Sequence, residues 1–205
     1  MSNKPFALDL FSGSGAVTKA LEKAGFEVIS LDWNPKFKPS ICCNIMDFPF
    51  NRIQVPISVV WGSPNCQTLS RVARPGQWIK ETIKYRQYQY TPVGLNSIAA
   101  VQFVAKTLEI IAYYNPQAYF IENPVGRMRH LESIKKFVPY RYSVNYKDYG
   151  FKYSKETDIY TNQLFALSTK KVIRPGLGVL SLHTAYQRSK VPEKLVEFLI
   201  SHSQL

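Results

Sequence analysis

The chain has 205 residues, 45% of them hydrophobic and 20% charged, which suffices for one well-buried core and is too little for two. Lys and Arg number 26 against 14 acidic residues, and a formal charge of +12 points to a polyanionic partner, nucleic acid first, with mere solubility as the bland alternative. Three cysteines without a CxxC pair argue against a disulfide framework or a metal site, and neither a charged-then-apolar leader nor an apolar run of about 18 residues stands out, so an intracellular protein with no membrane span is expected.

In chain order, "FALDLF" (6–11) reads as a buried strand, "SGSG" as a loop, and "AVTKALEKAG" as a helix whose Ala16, Val17, Ala20, Leu21 and Ala24 share one face and whose Gly25 stops it. "FEVISLD" (26–32) is predicted as a second strand, "SICCNIM" (40–46) as a third and "PISVVWG" (56–62) as a fourth. Residues 63–94 carry no evident regular pattern, and an irregular stretch of that length inside a domain points to an active-site loop. The 95–114 segment has helical period, "QAYFIEN" (117–123) is a fifth strand, and "YRYSVNYKDYG" with "TDIYTN" predicts an antiparallel edge hairpin. Residues 163–205 read as a short C-terminal extension whose tail, "VPEKLVEFLISHS", is a helix begun near a proline. The expectation is one α/β domain over 1–205, Rossmann-like, with a mostly parallel sheet covered on both faces.

Ligands of such sheets bind outside the carboxyl ends of the strands. Gly13 and Gly15 follow the first strand, Asp32 closes the second, Cys66 follows the fourth and Glu122 closes the fifth. The two glycines permit a tight turn and close approach of a ligand, although a GxG turn is also ordinary strand-to-helix punctuation, and Thr18 stands where a dinucleotide fingerprint needs its third glycine. Asp32 is placed to accept from ribose hydroxyls, which suggests a nucleoside-containing cofactor without a pyrophosphate. Arg71 and Arg74, close in sequence, would favour a Cys66 thiolate over an inert thiol. Glu122 reads plainly as a carboxylate in a salt bridge at a strand end, or, if partly buried, as an acid that holds its proton more readily and donates it to a base or carbonyl.

"DLFSGSG" (9–15), "GSPNCQTLS" (62–70), "ENP" (122–124) and "DYGFKYSKETDIYTN" (148–162), in this order, resemble the cofactor loop, the Gly-x-Pro-Pro-Cys-Gln-x-x-Ser motif, the Glu-Asn-Val motif and the Tyr-Gly motif of the cytosine-C5 DNA methyltransferase family. The likeness is to its short phage and viral members, whose R-x-x-V-P-x-x-L tail is matched by Arg188, Val191, Pro192 and Leu195. It implies a Rossmann-like methyltransferase domain that uses S-adenosylmethionine, with Cys66 as nucleophile at carbon 6 and Glu122 acting at N3. It also implies a cofactor site of Asp9, Phe11, Ser12, Gly13, Gly15, Asp32, Trp33 and Pro64. Asn44 stands where many members carry an acid, and Asp47 is its substitute. Asn65, Gln67, Ser70, Arg71, Arg74, Asn123, Lys155 and Thr157 fall on the substrate side, Asn123 with Pro124 holding the Glu122 backbone. Asn65 replaces a proline, and Tyr153, Lys155 and Thr157 occupy the family's Gln-x-Arg-x-Arg positions, which leaves Lys155 in place of an arginine.

The implied substrate is double-stranded DNA with a flipped cytosine, since a base in the stack cannot present both faces to reagents. Arg71, Arg74, Lys80, Lys84 and Arg86 alternate with Trp78, Tyr85, Tyr88 and Tyr90, a mixture fitted to phosphate contact and base stacking, unless those rings pack on the body of the protein. Only 43 residues follow Asn162, so a sizeable target-recognition domain is not expected and sequence preference should be short or weak. RNA remains the rival substrate, and a catalytically idle nucleic-acid-binding relative the rival class. A cysteine hydrolase is disfavoured because His130, His183 and His202 occupy no strand end.

Overall fold

Strand β1 (Phe6–Leu10) is buried at every residue after Phe6, as befits the middle of a sheet covered on both faces. The computed structural model describes residues 4–71, 75–83, 87–165 and 190–205. Around β1 lie β2 (Glu27–Asp32), β3 (Ile41–Cys42), β4 (Ile57–Gly62), β7 (Ala118–Pro124), β8 (Tyr140–Asn145) and β9 (Glu156–Thr161). They form one sheet in the order β3-β2-β1-β4-β7-β9-β8, in which Leu8 faces Ile29 on one side and Val60 on the other. The first five strands are parallel. β9 runs antiparallel between β7 and β8, pairing Glu122 with Ile159 and Pro124 with Thr157.

The order reverses between β1 and β4, where chain connections leave toward opposite sides and a crevice opens at the carboxyl ends. One face carries α1 (Ala16–Lys23) and α4 (Glu193–Ser201), packed with Trp61, Phe120 and Ile159; Lys23 and Glu197 pair across the two helices at 2.6 Å. The other carries α2 (Leu95–Tyr114), whose Val104, Ile110 and Ile111 meet Leu8, Val60 and Ile121, and the short α3 (Glu132–Phe137).

Four expectations change. The third strand shrinks to Ile41–Cys42, because the Asn44 side chain accepts the Met46 N–H and turns the chain into a 3-10 turn at Ile45–Asp47. The 63–94 segment is not irregular throughout: β5 (Trp78–Ile83) and β6 (Gln87–Pro92) form a separate antiparallel hairpin. The C-terminal helix is part of the core, with Leu195, Val196 and Leu199 fully buried. Finally, α2 is 20 residues of sufficient length and apolarity to match a membrane span, contrary to the expectation that no such run occurs, and it packs along the sheet. Lys84, Tyr85, Arg86, His183 and Arg188 lie outside the described residues.

Candidate active site

The loop after β1 is shaped by backbone that turns left-handed at Phe11 (φ 63°), Gly13 (φ 50°) and Gly15 (φ 73°). Asp32 ties this loop down: one carboxylate oxygen accepts the Gly13 N–H at 2.9 Å and the other accepts the Asn34 N–H at 2.8 Å. Ser12 N–H reaches the Leu31 carbonyl at 2.9 Å, and Ser63 N–H the Leu10 carbonyl at 3.2 Å, so three strand ends are laced together.

Beside them is a cavity of about 270 Å³ walled by Phe11, Asp32, Trp33, Asn44, Asn65 and Phe103. Trp33 is 71% exposed, an open aromatic face at its rim. Asp32, Asn44, Phe11 and Trp33 thus meet at one place. Asp9, Pro64 and Asp47 do not line it. Asp9 is buried and accepts from the Thr18 hydroxyl at 2.6 Å, Asp47 is on the exposed 3-10 turn, and Pro64 gives its carbonyl to Asn123. Burial pushes the Asp9 carboxyl up to about 7, against the pull of its Thr18 hydrogen bonds and with the Asp32 charge adding to the rise. Asn65, expected on the substrate side, walls this cavity and also accepts the Gln67 N–H at 3.0 Å.

Cys66 follows β4 in a loop fastened to β7 and the segment beyond it. Asn123 Nδ2 donates to the Pro64 carbonyl at 2.9 Å, Ser70 pairs with Gly126 as an isolated bridge, and the Arg127 guanidinium donates to the Ser70 carbonyl. A Cβ at Gly126 would stand 2.8 Å from Ser70 Cα and closer still to the Leu69 carbonyl, so only glycine permits this approach. Ser70 N–H returns to the Cys66 carbonyl at 3.0 Å, closing a turn that holds the thiol at its rim.

Glu122 lies one residue beyond the β4–β7 pairing of Gly62 with Ile121. Its Oε1 accepts from the Tyr146 hydroxyl at 2.6 Å and from Lys155 Nζ at 3.3 Å, and Lys155 Nζ stands 4.4 Å above the Tyr146 ring. All three are buried. Tyr146 also lies near enough to Cys66 for the thiol's charge to act on it. Burial above all, with the Glu122 carboxylate and then Cys66, holds the Tyr146 phenol well above its ordinary range, so it remains a donor. Glu122 thus bonds directly to this phenol, and the Cys66 loop lies within its electrostatic range. Asn123 Oδ1, also buried, has no hydrogen-bond partner among the described residues.

Lys155 bears on Glu122. Arg71 is exposed and pairs with Glu156 at 3.4 Å, while Arg74 lies outside the described residues. Trp78 donates its indole N–H to the Thr68 carbonyl at 2.8 Å and Tyr90 packs on His130 with ring centres 4.7 Å apart, so these two rings serve the body rather than an open stacking surface. Tyr88 is exposed beneath Lys80 at 3.6 Å. Tyr146, Phe103 and Arg127 were not anticipated from sequence; the only signal for Tyr146 was its place just ahead of the Tyr-Gly motif.

No protein-family model matches the chain. It is 27% identical over 165 residues to a Frog virus 3 (isolate Goorha) protein named "Probable DNA (cytosine-5)-methyltransferase", covering 76% of this chain and 69% of that one. Among solved structures, a candidate DNA modification methyltransferase encoded within an E. coli prophage shares the fold with a TM-score of 0.52 and 16% identity, covering 77% of this chain and 46% of that one. The chain thus spans about half the length of that solved structure. By sequence, then, the chain is similar to a viral protein named as a probable DNA cytosine-5 methyltransferase, and it shares its fold with a prophage-encoded candidate DNA modification methyltransferase.

Proposed function

We propose that this protein transfers a methyl group to carbon 5 of cytosine in DNA, inside the cell that holds that DNA. The observation that supports the reading is that Glu122, bonded to the Tyr146 phenol, ends β7 beside the Cys66 loop, which Asn123 of the same strand fastens through the Pro64 carbonyl, next to an aromatic-walled cavity. That cavity fits a nucleoside: Phe11, Phe103 and Trp33 offer faces for a purine, and each Asp32 oxygen accepts one backbone N–H and keeps a lone pair for a ribose hydroxyl. S-adenosylmethionine bound there supplies an electrophilic methyl group.

The residues then divide the work. Carbon 5 of cytosine is a poor nucleophile, so the Cys66 thiolate adds to carbon 6 and Glu122 engages N3, which makes carbon 5 electron-rich. After methylation the carbon 5 proton leaves to a base, the carbon 6–sulfur bond breaks, and the thiolate is regenerated. Tyr146 and Lys155 hold the Glu122 carboxyl in place, and Asn123 fixes the loop bearing Cys66 through the Pro64 carbonyl. The cytosine enters flipped from the duplex.

Methyl-labelled S-adenosylmethionine incubated with duplex DNA, and separately with RNA, tests this when the product is digested to nucleosides. Label in 5-methyldeoxycytidine from DNA is expected. Label confined to RNA, or to another base, would overturn it.

A further inference from the structure

A second cavity, of about 200 Å³, lies behind the Cys66 loop, walled by Arg71, Tyr90, Gly126, Arg127, Arg129 and His130. Its volume corresponds to about seven waters at roughly 30 Å³ each, too small for a drug-sized ligand and ample for a tetrahedral anion. The three arginines are not equivalent. Arg129 is neutralised by a two-pronged pair with the buried Asp158, its Nη2 lying 2.6 Å from Oδ1. Arg71 holds Glu156 only at 3.4 Å and is mostly exposed. Arg127 has no carboxylate partner among the described residues; its guanidinium donates to the Ser70 carbonyl and lies 5.7 Å from the Tyr90 ring and 6.0 Å from that of Trp78. His130 closes the wall; burial first, then Lys135 and Arg129, push its pKa down, leaving a neutral imidazole. The pocket therefore offers a guanidinium with no anionic partner among the described residues, a second that is loosely held, and a neutral ring donor.

The pocket is joined to the candidate active site by backbone. Gly126 pairs with Ser70, four residues beyond Cys66, and lies four beyond Glu122. We propose that this pocket takes one phosphodiester group of the DNA strand that carries the target cytosine, held by Arg127 and Arg71. The proposal rests on the DNA-methyltransferase reading above. An anion seated there would also bear on the Cys66 loop, because Arg127 grips both the phosphate and the Ser70 carbonyl.

The test uses the whole protein and a set of duplexes, each with one phosphate near the target cytosine replaced by an uncharged methylphosphonate. One linkage should weaken wild-type binding about tenfold or more; that linkage should lose sensitivity in R127Q and become silent in the R71Q/R127Q double variant. The slope of log K against log salt should fall by about 0.9 in the R71Q/R127Q double variant and by no more than that in either single variant, because both arginines serve one phosphate. Arg71 is exposed, so R71Q stands in if R127Q fails to fold. Loss of about twice that slope in the double variant, every linkage staying as sensitive in the variants as in wild type, or tight binding of inorganic phosphate without any linkage effect, would overturn the assignment. Methyl transfer that persists while linkage coupling is absent fells the pocket alone; absence of both DNA binding and methyl transfer fells the proposed function with it.

Discussion

Removing one oxygen atom tests how the candidate active site is held. Tyr146→Phe keeps the ring, its edge contact with Phe151 at 5.3 Å between ring centres and the Lys155 ammonium above its face, and deletes only the hydroxyl that donates to Glu122 at 2.6 Å. A hydrogen bond to a charged group contributes about 1.5–3 kcal/mol, and this one is fully buried, so a loss near 2 kcal/mol is expected. For a chain of this size that lowers Tm by about 4–8 °C. Glu122 would keep Lys155 and lose its shorter partner, and the same free energy, if used to hold the carboxyl at the pyrimidine, becomes a fall in kcat/KM on the order of ten- to a hundredfold. Urea unfolding and methyl transfer to DNA, measured on the same preparation, read both. A Y146F protein within about 0.5 kcal/mol of wild type with unchanged turnover would refute the idea that this phenol positions Glu122.

Other perturbations probe separate parts of the structure. Asp9 titrates at about 7 in the folded chain against 3.8 as its ordinary value, so between those limits the folded state keeps a proton that the unfolded state has lost. Stability should therefore fall as pH rises through that window, by about 4 kcal/mol at about 1.4 kcal/mol per unit, and D9N should flatten the slope; equal slopes for the two proteins in urea unfolding at pH 5 and pH 8 would contradict the burial of this carboxyl. Gly126→Ala forces a Cβ against the Leu69 carbonyl, displacing the Cys66 loop, and methyl transfer should drop about a hundredfold while far-ultraviolet dichroism stays native; full activity would mean that the loop yields freely. Leu195→Ala empties a fully buried position under α4 and should cost about 2–5 kcal/mol in urea unfolding, whereas a change below about 0.5 kcal/mol would show the C-terminal helix to be dispensable.

The parts of the molecule legible in the sequence are those where chemistry and backbone geometry coincide. Gly13 and Gly15 were readable because the turn needs left-handed backbone, and Asp32 because an acid at a strand end must find donors, although two of these proved to be backbone amides of the protein itself. Apolar strands such as Ile57–Gly62 announce themselves through burial on both faces. The β5–β6 hairpin did not, because its residues are largely exposed and "WIKETI" contains no apolar run, so only a faint alternation marks it. Asn44 cut the third strand short through a local side-chain bond that no strand propensity reflects. Tyr146 escaped notice because its function depends on the sheet order: only with β9 between β7 and β8 does the turn after β8 come to rest beside Glu122. His130, at no strand end and so with no evident role in the sequence, is placed by tertiary packing in the wall of the cationic pocket.

The most direct measurement is mass spectrometry of the protein after incubation with S-adenosylmethionine and a duplex containing 5-fluorodeoxycytidine. With fluorine where the departing proton should be, the sulfur–carbon bond cannot be released, and a methylated nucleotide adduct mapped to the Cys66 peptide, absent in C66A, is expected. An unmodified Cys66 in protein that transfers methyl groups to ordinary DNA, or an adduct on another residue, would contradict the account.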